Sequence, residues 1–308
     1  MTTVATGYPN AKTSSLIPTL YAAKLLIAFY AATVFGAIAN TEYEGQITKF
    51  GDKVIIRTLP DAVISDYKPG QDITYATPEA TPVELNIDEG KYWAFAIDAA
   101  EEKQMDLNYV EQWATHFSEQ LRNAIDTAIL ANAYGDVAAA NAGATAGAES
   151  GAIDLGATGA PEAINSANAI ECILRCGQAL DEQNVPDDGR WIVLPSWYTT
   201  KLKMSDIKDA SLTGDGKSVL RNGRIGMIDR FEVFRSNNLP TVTDTVTCWN
   251  TLFGHKAGLT FASQLVKKET LKNPKTFGDL VRMLQVYGYK VVKPEACGTL
   301  YCKPTAEA

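Results

Sequence analysis

Histidine and cysteine, the side chains that most often carry nucleophilic or metal chemistry, are scarce in this sequence. Only two of the 308 residues are histidines, and the cysteines number five. An odd number of cysteines does not make a disulfide framework, and a chain of this length needs none. Neither Cys172 with Cys176 nor Cys297 with Cys302 has the spacing of zinc ligands. We therefore expect reduced thiols in a cytoplasmic protein.

Sequence motifs that identify enzymes are missing as well. The string Gly216–Ser218 would end a phosphate-binding loop, but Ser211 stands where that loop requires its first glycine. No Gly-x-Ser-x-Gly or His-Glu-x-x-His motif occurs, and the acidic run Asp181–Asp188 lacks the alternating ligands of a calcium loop. His116 and His255 have no recognisable catalytic partners. The sequence predicts no catalytic, cofactor-binding or metal-binding residue.

Basic runs and a signal peptide are also absent. The formal net charge is −8, and no Lys/Arg cluster is present that would follow a phosphate backbone, which disfavours direct nucleic-acid recognition. The beginning of the chain lacks the layout of a signal peptide. The apolar run Leu16–Ala39 is long enough to test as a membrane span, but Lys24 lies inside it and its many alanines insert poorly. We interpret this run as a helical arm that docks on neighbouring subunits, with membrane association as the alternative.

Two strand-like runs follow the arm and enclose a proline-rich link. The runs are Ile47–Leu59 and Glu84–Ile97, the second with a break at Gly90. The link between them contains four prolines and scattered charges, so it cannot build a core. We predict a long two-stranded flap, which would be marginally stable alone and needs a neighbouring molecule to lie against.

The strongest periodicity in the chain predicts a helix over Ala99–Tyr134. Its apolar residues recur every three or four positions along one face, Asp106 lies near its positively polarised start, and Gly135 follows as a stop. The positions of that apolar face are Leu107, Val110, Ala114, Phe117, Leu121, Ile125 and Ala128. About 30 helical residues give a rod of about 45 Å, which suits a scaffold spine.

The second half of the chain alternates helical and strand-like segments. The Ala/Gly-rich residues 136–160 are predicted to form a flexible connector at a domain boundary. The further predictions are helices opening at Pro161 and Pro195, strands over Trp191–Leu194, Ile225–Phe234, Leu259–Leu271 and Leu280–Val292, and a loop over Asp206–Arg224.

Three segments, taken in order, resemble the major capsid proteins of tailed bacteriophages. Asn184–Ser196 is similar to that family's turn into a central strand, with Gly189-Arg190 before the strand and Pro195 after it. Arg221–Pro240 resembles the strand and loop that come next, although Arg230 stands where the family often has glycine. Val281–Glu295 resembles the closing strand. The resemblance spans nearly the whole chain.

The resemblance implies an α+β tailed-phage capsid fold with an N-terminal arm, an extended β-hairpin flap, a long spine helix and a mixed α/β axial domain. The expected divisions are 1–40 for the arm, 41–98 for the flap, 99–135 for the spine helix of a peripheral domain, 136–160 for the connector, 161–257 for the axial domain and 258–308 for the closing peripheral strands. It also implies pentamers and hexamers of this chain that enclose double-stranded DNA without sequence-specific binding. An acidic chain suits such a container, because it repels the packaged polyanion.

The implied partners are other copies of this chain, a scaffolding protein and a portal with its packaging motor, in a virion assembled in the bacterial cytoplasm. No membrane and no cofactor is expected. We predict that charges of the flap make intersubunit pairs, namely Lys53, Arg57, Asp61, Asp66, Lys68 and Asp72. The alternative is that these side chains are merely solvated. An encapsulin-type nanocompartment shell, a membrane-associated protein and an enzyme of unseen class stay open as alternatives.

Overall fold

Helices and strands mix along the chain in a computed structural model that describes residues 33–42, 53–60, 63–66, 68–72, 75, 77, 82–99, 109–205 and 226–305. The helices are α1 (Phe35–Ile38), α2 (Tyr109–Ala133), α3 (Ala169–Glu182) and α4 (Ser196–Met204). The strands are β1 (Lys53–Ile56), β2 (Val83–Asn86), β3 (Glu89–Asp98), β4 (Glu162–Ile164), β5 (Arg190–Leu194), β6 (Met227–Ile228), β7 (Phe231–Arg235), β8 (Thr241–Asp244), β9 (Val246–His255), β10 (Leu259–Lys272), β11 (Gly278–Val291) and β12 (Cys297–Pro304).

The long helix α2 lies on a three-stranded antiparallel sheet in the order β10-β11-β3. Side chains of β3 alternate between the two faces of this sheet, so Trp93 and Phe95 contact Phe117 of the helix while Tyr92 and Ala94 face outward. The buried stripe of α2 consists of Ala114, Leu121, Ile125, Ile129 and Leu130. The predicted spine helix is therefore present. It ends at Ala133, and a short 3₁₀ turn begins at Tyr134. Residues 100–108, with Asp106 and Leu107, lie outside the described part.

A second, seven-stranded sheet forms the axial region. Its order is β4-β12-β9-β5-β7-β6, with β8 paired to β9. The central strand β5 is buried at all five positions, which agrees with the unbroken apolar run predicted over Trp191–Leu194. Helices α3 and α4 contribute Ile173, Leu180, Tyr198 and Leu202 to the core beside this sheet. Helix α4 begins directly after Pro195, as predicted.

Residues 136–160 and the start of α3 differ from the prediction. The expected flexible connector is packed, because Ala146, Ile153 and Leu155 are buried in the axial core. The amide of Ala146 and the carbonyl of Ile153 bond at 2.8 Å. The helix predicted to open at Pro161 opens at Ala169, after the short strand β4 that pairs with β12. Small side chains allow this segment to pack closely, a possibility that composition alone does not reveal.

The last strand also differs from the expected arrangement. β10 and β11 occupy the predicted peripheral positions, but β12 pairs with β9 and β4 in the axial sheet. The strand predicted over Ile225–Phe234 is a tight hairpin of β6 and β7, whose turn places Asp229 at φ 53°. The left-handed residue of this turn is therefore Asp229, and Arg230 follows it.

The flap is present as the antiparallel pair β1 and β2, with Val54 opposite Leu85 and Ile56 opposite Val83. The break in the return run falls at residues 87–88 rather than at Gly90, which is paired with Val286 inside the sheet. No strand forms among the described residues of the link 57–82.

Candidate assembly surfaces

The end of the N-terminal arm is fastened to the spine helix by one buried carboxylate. Oδ1 of Asp126 accepts hydrogen bonds from the backbone N–H groups of Val34 and Phe35, both at 2.9 Å. Asp126 is fully buried. These two N–H groups open the short helix α1, whose own cap residue makes no side-chain hydrogen bond, so Asp126 caps it from a distance of more than 90 residues.

The same carboxylate reaches a third segment of the chain. Oδ2 of Asp126 accepts a hydrogen bond from the amide of Asn238 at 2.7 Å, and that amide also donates to Asn123 at 2.6 Å. Beyond α1, Asn40 adds to the edge of β10 by bonds with Leu259 and Phe261. Residues 34–40 are thus held at both ends, and the arm residues 1–32 lie outside the described part.

The base of the flap packs directly on the peripheral sheet. Val54, Ile56, Leu85 and Ile87 form a buried cluster with Ala262 of β10. At Gly288 the two layers approach so closely that an added Cβ would lie 2.0 Å from the backbone oxygen of Asn86. Only glycine allows this contact, so the direction in which the flap leaves the sheet is fixed at its base.

A Gly288→Ala substitution should destabilise this junction. The added methyl group would collide with backbone rather than with a movable side chain, so we expect a loss of about 3 kcal/mol, at the upper end of overpacking costs. The midpoint of urea unfolding measures the loss, and limited proteolysis of the 57–82 link reports release of the flap. Gly135→Ala is the matched control, because nothing lies within 4 Å of its added Cβ. Equal midpoints for the two variants would contradict the prediction.

The predicted flap charges are exposed where the structure describes them. Lys53 pairs with Glu84 of its own chain at 2.9 Å, across the β1–β2 ladder. Arg57, Asp66, Lys68 and Asp72 are exposed. Asp61 lies outside the described residues. Their role in intersubunit pairs therefore stays a prediction.

Apolar side chains on the flap give a stronger signal that the prediction missed. Within the link, the side chains of Leu59, Val63, Ile64 and Tyr75 are each at least 80% exposed. Large exposed apolar side chains that are this frequent in one segment are typical of a surface that another protein covers. The apolar residues of the link are present in the sequence, but they are interspersed with prolines and charges and follow no helical or strand periodicity.

Four charged side chains hold the turn between α3 and β5 against the β6–β7 hairpin. The guanidinium of Arg190 is 1% exposed and lies 2.8 Å from Asp181 and 3.1 Å from Asp187. Arg230 contacts the same two carboxylates, each at 2.6 Å. Arg190 also donates to the carbonyls of Val185 and Pro186. The residue that stands where the family often has glycine therefore completes a charge cluster.

Carboxylates in this part of the axial region should make the subunit acid-sensitive. Burial opposes ionisation of Asp181, but hydrogen bonds from Arg230 and Arg190 outweigh it and hold its pKa below the ordinary value. Hydrogen bonds from the backbone N–H groups of Ser150 and Glu149 lower the pKa of Glu182 from 4.5 to about 2. A lowered folded-state pKa adds stability above the unfolded pKa, and this contribution disappears as the pH falls through the folded value.

We therefore expect the free energy of unfolding to be insensitive to these groups from pH 7 to pH 5 and to fall from pH 4.5 toward pH 2. Urea titrations at several pH values measure the slope. Glu182→Gln is the matched variant. It should be less stable than the native chain at pH 5 and approach it near pH 2, and an unchanged slope in this variant would contradict the assignment.

The cysteines lie in the core and His255 lies at a turn. No group of three or more metal-ligating side chains is found there. His255 donates from Nε2 to the carbonyl of Asp188 at 2.7 Å and accepts the N–H of Ala257, so both ring nitrogens serve a turn. All five cysteines are buried and reduced. Burial, followed by the charge of Glu162, raises the pKa of Cys172 to about 12, which leaves its thiol unreactive.

Among the described residues, no helix is both long enough and apolar enough to span a membrane. Most of the Leu16–Ala39 run lies outside the described residues. The part that is described, residues 33–39, includes α1 with Phe35 packed on Phe261 at 5.0 Å between ring centres.

Comparisons with known proteins agree on one architecture. A chain from Mycobacterium phage Che8 is 27% identical, with a TM-score of 0.72 over 93% of this chain and 97% of that one. A capsid chain of Cyanophage P-SCSP1u is 15% identical, with a TM-score of 0.72 over 94% of both chains. A chain of the mature capsid of bacteriophage PhiM1 is 15% identical, with a TM-score of 0.69 over 94% of this chain and 92% of that one. No curated protein matches in sequence.

The solved structures that are less than 25% identical to this chain support its fold. Membership of a family is shown instead by a match between the sequence and a family model. The model of a family described as phage capsid protein matches residues 81–299, which cover the return strand of the flap, the spine helix and nearly all of the axial region. The predicted α+β tailed-phage capsid fold is confirmed. The chain belongs to the phage capsid protein family.

Proposed function

We propose that the chain is the major capsid protein of a tailed bacteriophage, a shell subunit without catalytic function that assembles into the icosahedral head around double-stranded DNA. The observation that carries this proposal is a rigid body with extensions whose apolar side chains face solvent. Leu59, Val63, Ile64 and Tyr75 are each at least 80% exposed in the single subunit. Copies of the subunit, arranged as pentamers and hexamers, would cover them.

The distribution of fixed and exposed parts supports assembly from many copies. The spine helix and both sheets are buried and bonded within one chain, and the flap base and the arm end are fixed to them. A subunit built this way keeps its body constant while its extensions adapt to different neighbours. Weak contacts with several partners at about 25 cal/mol per Å² then add to a stable shell.

The remaining partners follow from this role. A scaffolding protein and a portal with its packaging motor would act with the shell, which would be assembled in the bacterial cytoplasm. The acidic chain would enclose DNA without reading its sequence. An encapsulin-type shell is not favoured, because the matching family is one of phage capsid proteins.

Electron microscopy of the full chain, expressed with and without a candidate scaffolding protein, tests the proposal. Closed particles or capsomers are expected. A chain that stays monomeric at high concentration with the scaffold present would overturn it, and shells that contain an enzyme instead of DNA in their native host would restore the encapsulin alternative.

Substitutions in the flap test the surface that carries the proposal. Val63→Asp combined with Ile64→Asp should abolish particles while changing the subunit's free energy of unfolding by no more than about 0.5 kcal/mol, because both side chains face solvent. The matched pair Val63→Leu and Ile64→Val keeps the surface apolar and should assemble normally. Normal particles from the aspartate pair would remove the flap from the assembly surface. Variants that neutralise Lys68 and Asp72, tested in the same assay, show whether the predicted flap charges contribute to particle formation.

A further inference from the structure

The outward face of the peripheral sheet contains a pocket of about 410 Å³. It forms where Ala94 of β3 lies opposite Arg282 of β11, because the small side chain leaves a depression between larger neighbours. Tyr92 and Leu284, also opposite each other, make its apolar wall. The spine helix lies on the other face of the sheet, so this pocket opens away from the core of its own subunit.

The rim of this pocket carries two cations around one anion. Glu269 lies 2.5 Å from the ammonium of Lys267 and 2.5 Å from the guanidinium of Arg282. Hydrogen bonds from Lys267 and then Arg282 hold the pKa of Glu269 below its ordinary value, so the carboxylate stays ionised and orders both cations. One positive charge remains beside an apolar floor, a combination that suits the electron-rich face of an aromatic ring.

The turn between β10 and β11 exposes an aromatic ring that could occupy such a pocket. The side chain of Phe277 is 90% exposed. Its turn is fixed by the Asn273 N–H bond to the carbonyl of Gly278 at 2.9 Å and by the Asn273 amide, which donates to Thr276 at 2.6 Å. The N–H of Ala99 donates to the carbonyl of Phe277 at 2.9 Å. A ring on so rigid a turn loses little conformational entropy when it binds.

The ring and the pocket cannot meet within one subunit. Phe277 lies just before β11, five residues from Arg282 and seven from Leu284, which corresponds to about 17–23 Å at the rise of a strand. Every copy nevertheless carries both features. We propose that Phe277 of one copy inserts into the pocket lined by Tyr92, Ala94, Arg282 and Leu284 of a second copy.

This contact joins two different surfaces of the same chain, so it is heterologous. Contacts of this type generate closed rings or continuous lattices rather than isolated dimers, as a shell requires. The inference rests on the proposed function, since it needs copies that assemble. The pocket is assigned to a second copy rather than to an unrelated protein, because each copy of the chain carries one such pocket and one exposed Phe277 ring.

Cysteine cross-linking tests the contact directly. Phe277→Cys and Ala94→Cys in one chain place thiols on the ring position and on the pocket floor, and all five native cysteines are buried. Oxidation of assembled particles with copper phenanthroline should give a ladder of disulfide-linked multimers on denaturing gels. Either single variant should give none. Phe277→Cys with Leu174→Cys is the matched control, because Leu174 is exposed on the distant helix α3.

The outcomes separate this inference from the proposed function. Particles that form normally but cross-link no more than the control overturn the contact and leave the shell function intact. Cross-linking of Ala94→Cys to Ile64→Cys of the flap, in place of Phe277→Cys, also overturns it. A native chain that forms no particles overturns both.

A second readout follows from the energy of the contact. Phe277→Ala should raise the subunit concentration needed for assembly about tenfold or more, as loss of an interface anchor does, while Phe277→Tyr keeps the ring and should assemble like the native chain. Equal assembly of the alanine variant and the native chain counts against the inference. The unfolding midpoint of the isolated subunit should be unchanged in both variants, since the ring contacts solvent.

Discussion

An Asp126→Ala chain is expected to lose about 3–5 kcal/mol of folding stability, because the substitution leaves several buried donors without an acceptor. Asp126 receives the N–H groups of Val34 and Phe35 and the amide of Asn238, all within 2.9 Å. The urea midpoint of the full-length chain measures the change. The N-terminal arm should become susceptible to proteolysis at the same time, since its attachment to the spine helix depends on this carboxylate.

Two further variants make the test of Asp126 specific. Asp126→Asn keeps one oxygen for the N–H groups of α1 but turns an amide toward Asn238, so it should lose less than the alanine variant. Asp136→Ala removes an exposed carboxylate just past the end of the same helix and should change stability by about 0.5 kcal/mol or less. Similar losses for Asp126→Ala and Asp136→Ala would show that the arm is held by its apolar contacts and by the backbone hydrogen bonds of Asn40.

Local periodicity in the sequence predicted the helices and strands whose buried faces are formed by residues close together in the chain. The stripe that contains Leu121 and Ile125 repeats at helical spacing, so the spine helix is visible in the sequence alone. β10 and β11 begin and end within two residues of their predicted limits. The buried run Trp191–Leu194 identified the central strand β5 for the same reason.

Elements that depend on distant pairing were not predicted. β12 is a short apolar strand near the chain end, and its place in the axial sheet is fixed by its partner β9, some 50 residues earlier. Residues 136–160 look flexible by composition, but Leu155 is buried because its carbonyl bonds to Tyr301, which lies far away in sequence. No pattern within a window of 10 to 20 residues contains such information.

The flap is predicted from the sequence as an assembly surface, but the exposure of its apolar side chains is not. The four prolines between Leu59 and Glu84 predict an exposed link that cannot build a core, and the predicted contact groups are charges of the flap. Whether Val63 and Ile64 are exposed depends on what the folded chain packs over them, and the sequence does not show that packing. The role of Asp126 was not predicted either. In the sequence it is a carboxylate beside an apolar stripe, which is typical of a solvated helix residue, and its three hydrogen-bond donors come from distant segments.

The cluster around Arg190 leads to the second large prediction. Arg190→Met keeps the length of the side chain but leaves Asp181 and Asp187 with Arg230 alone, and it removes the donors to the carbonyls of Val185 and Pro186. Asp181 and Asp187 are 39% and 63% exposed and keep Arg230 as a partner, so most of the cost comes from the lost hydrogen bonds of the buried guanidinium. We expect a loss of about 2–3 kcal/mol in the free energy of unfolding, measured by urea titration. Arg190→Lys should recover only part of it, because an ammonium cannot reproduce the planar fork of five donors.

Comparison with an exposed arginine shows what this prediction depends on. Arg122 pairs with Glu119 on the outside of the spine helix at 3.1 Å, and Arg122→Met should change stability by about 0.5 kcal/mol or less. The two substitutions remove the same chemical group, so the difference between them measures burial and the number of acceptors. If Arg190→Met were as mild as Arg122→Met, the turn would be held by the packing of Val185 and Trp191. The hairpin that Arg230 ties to α3 would then keep its position without this charge cluster.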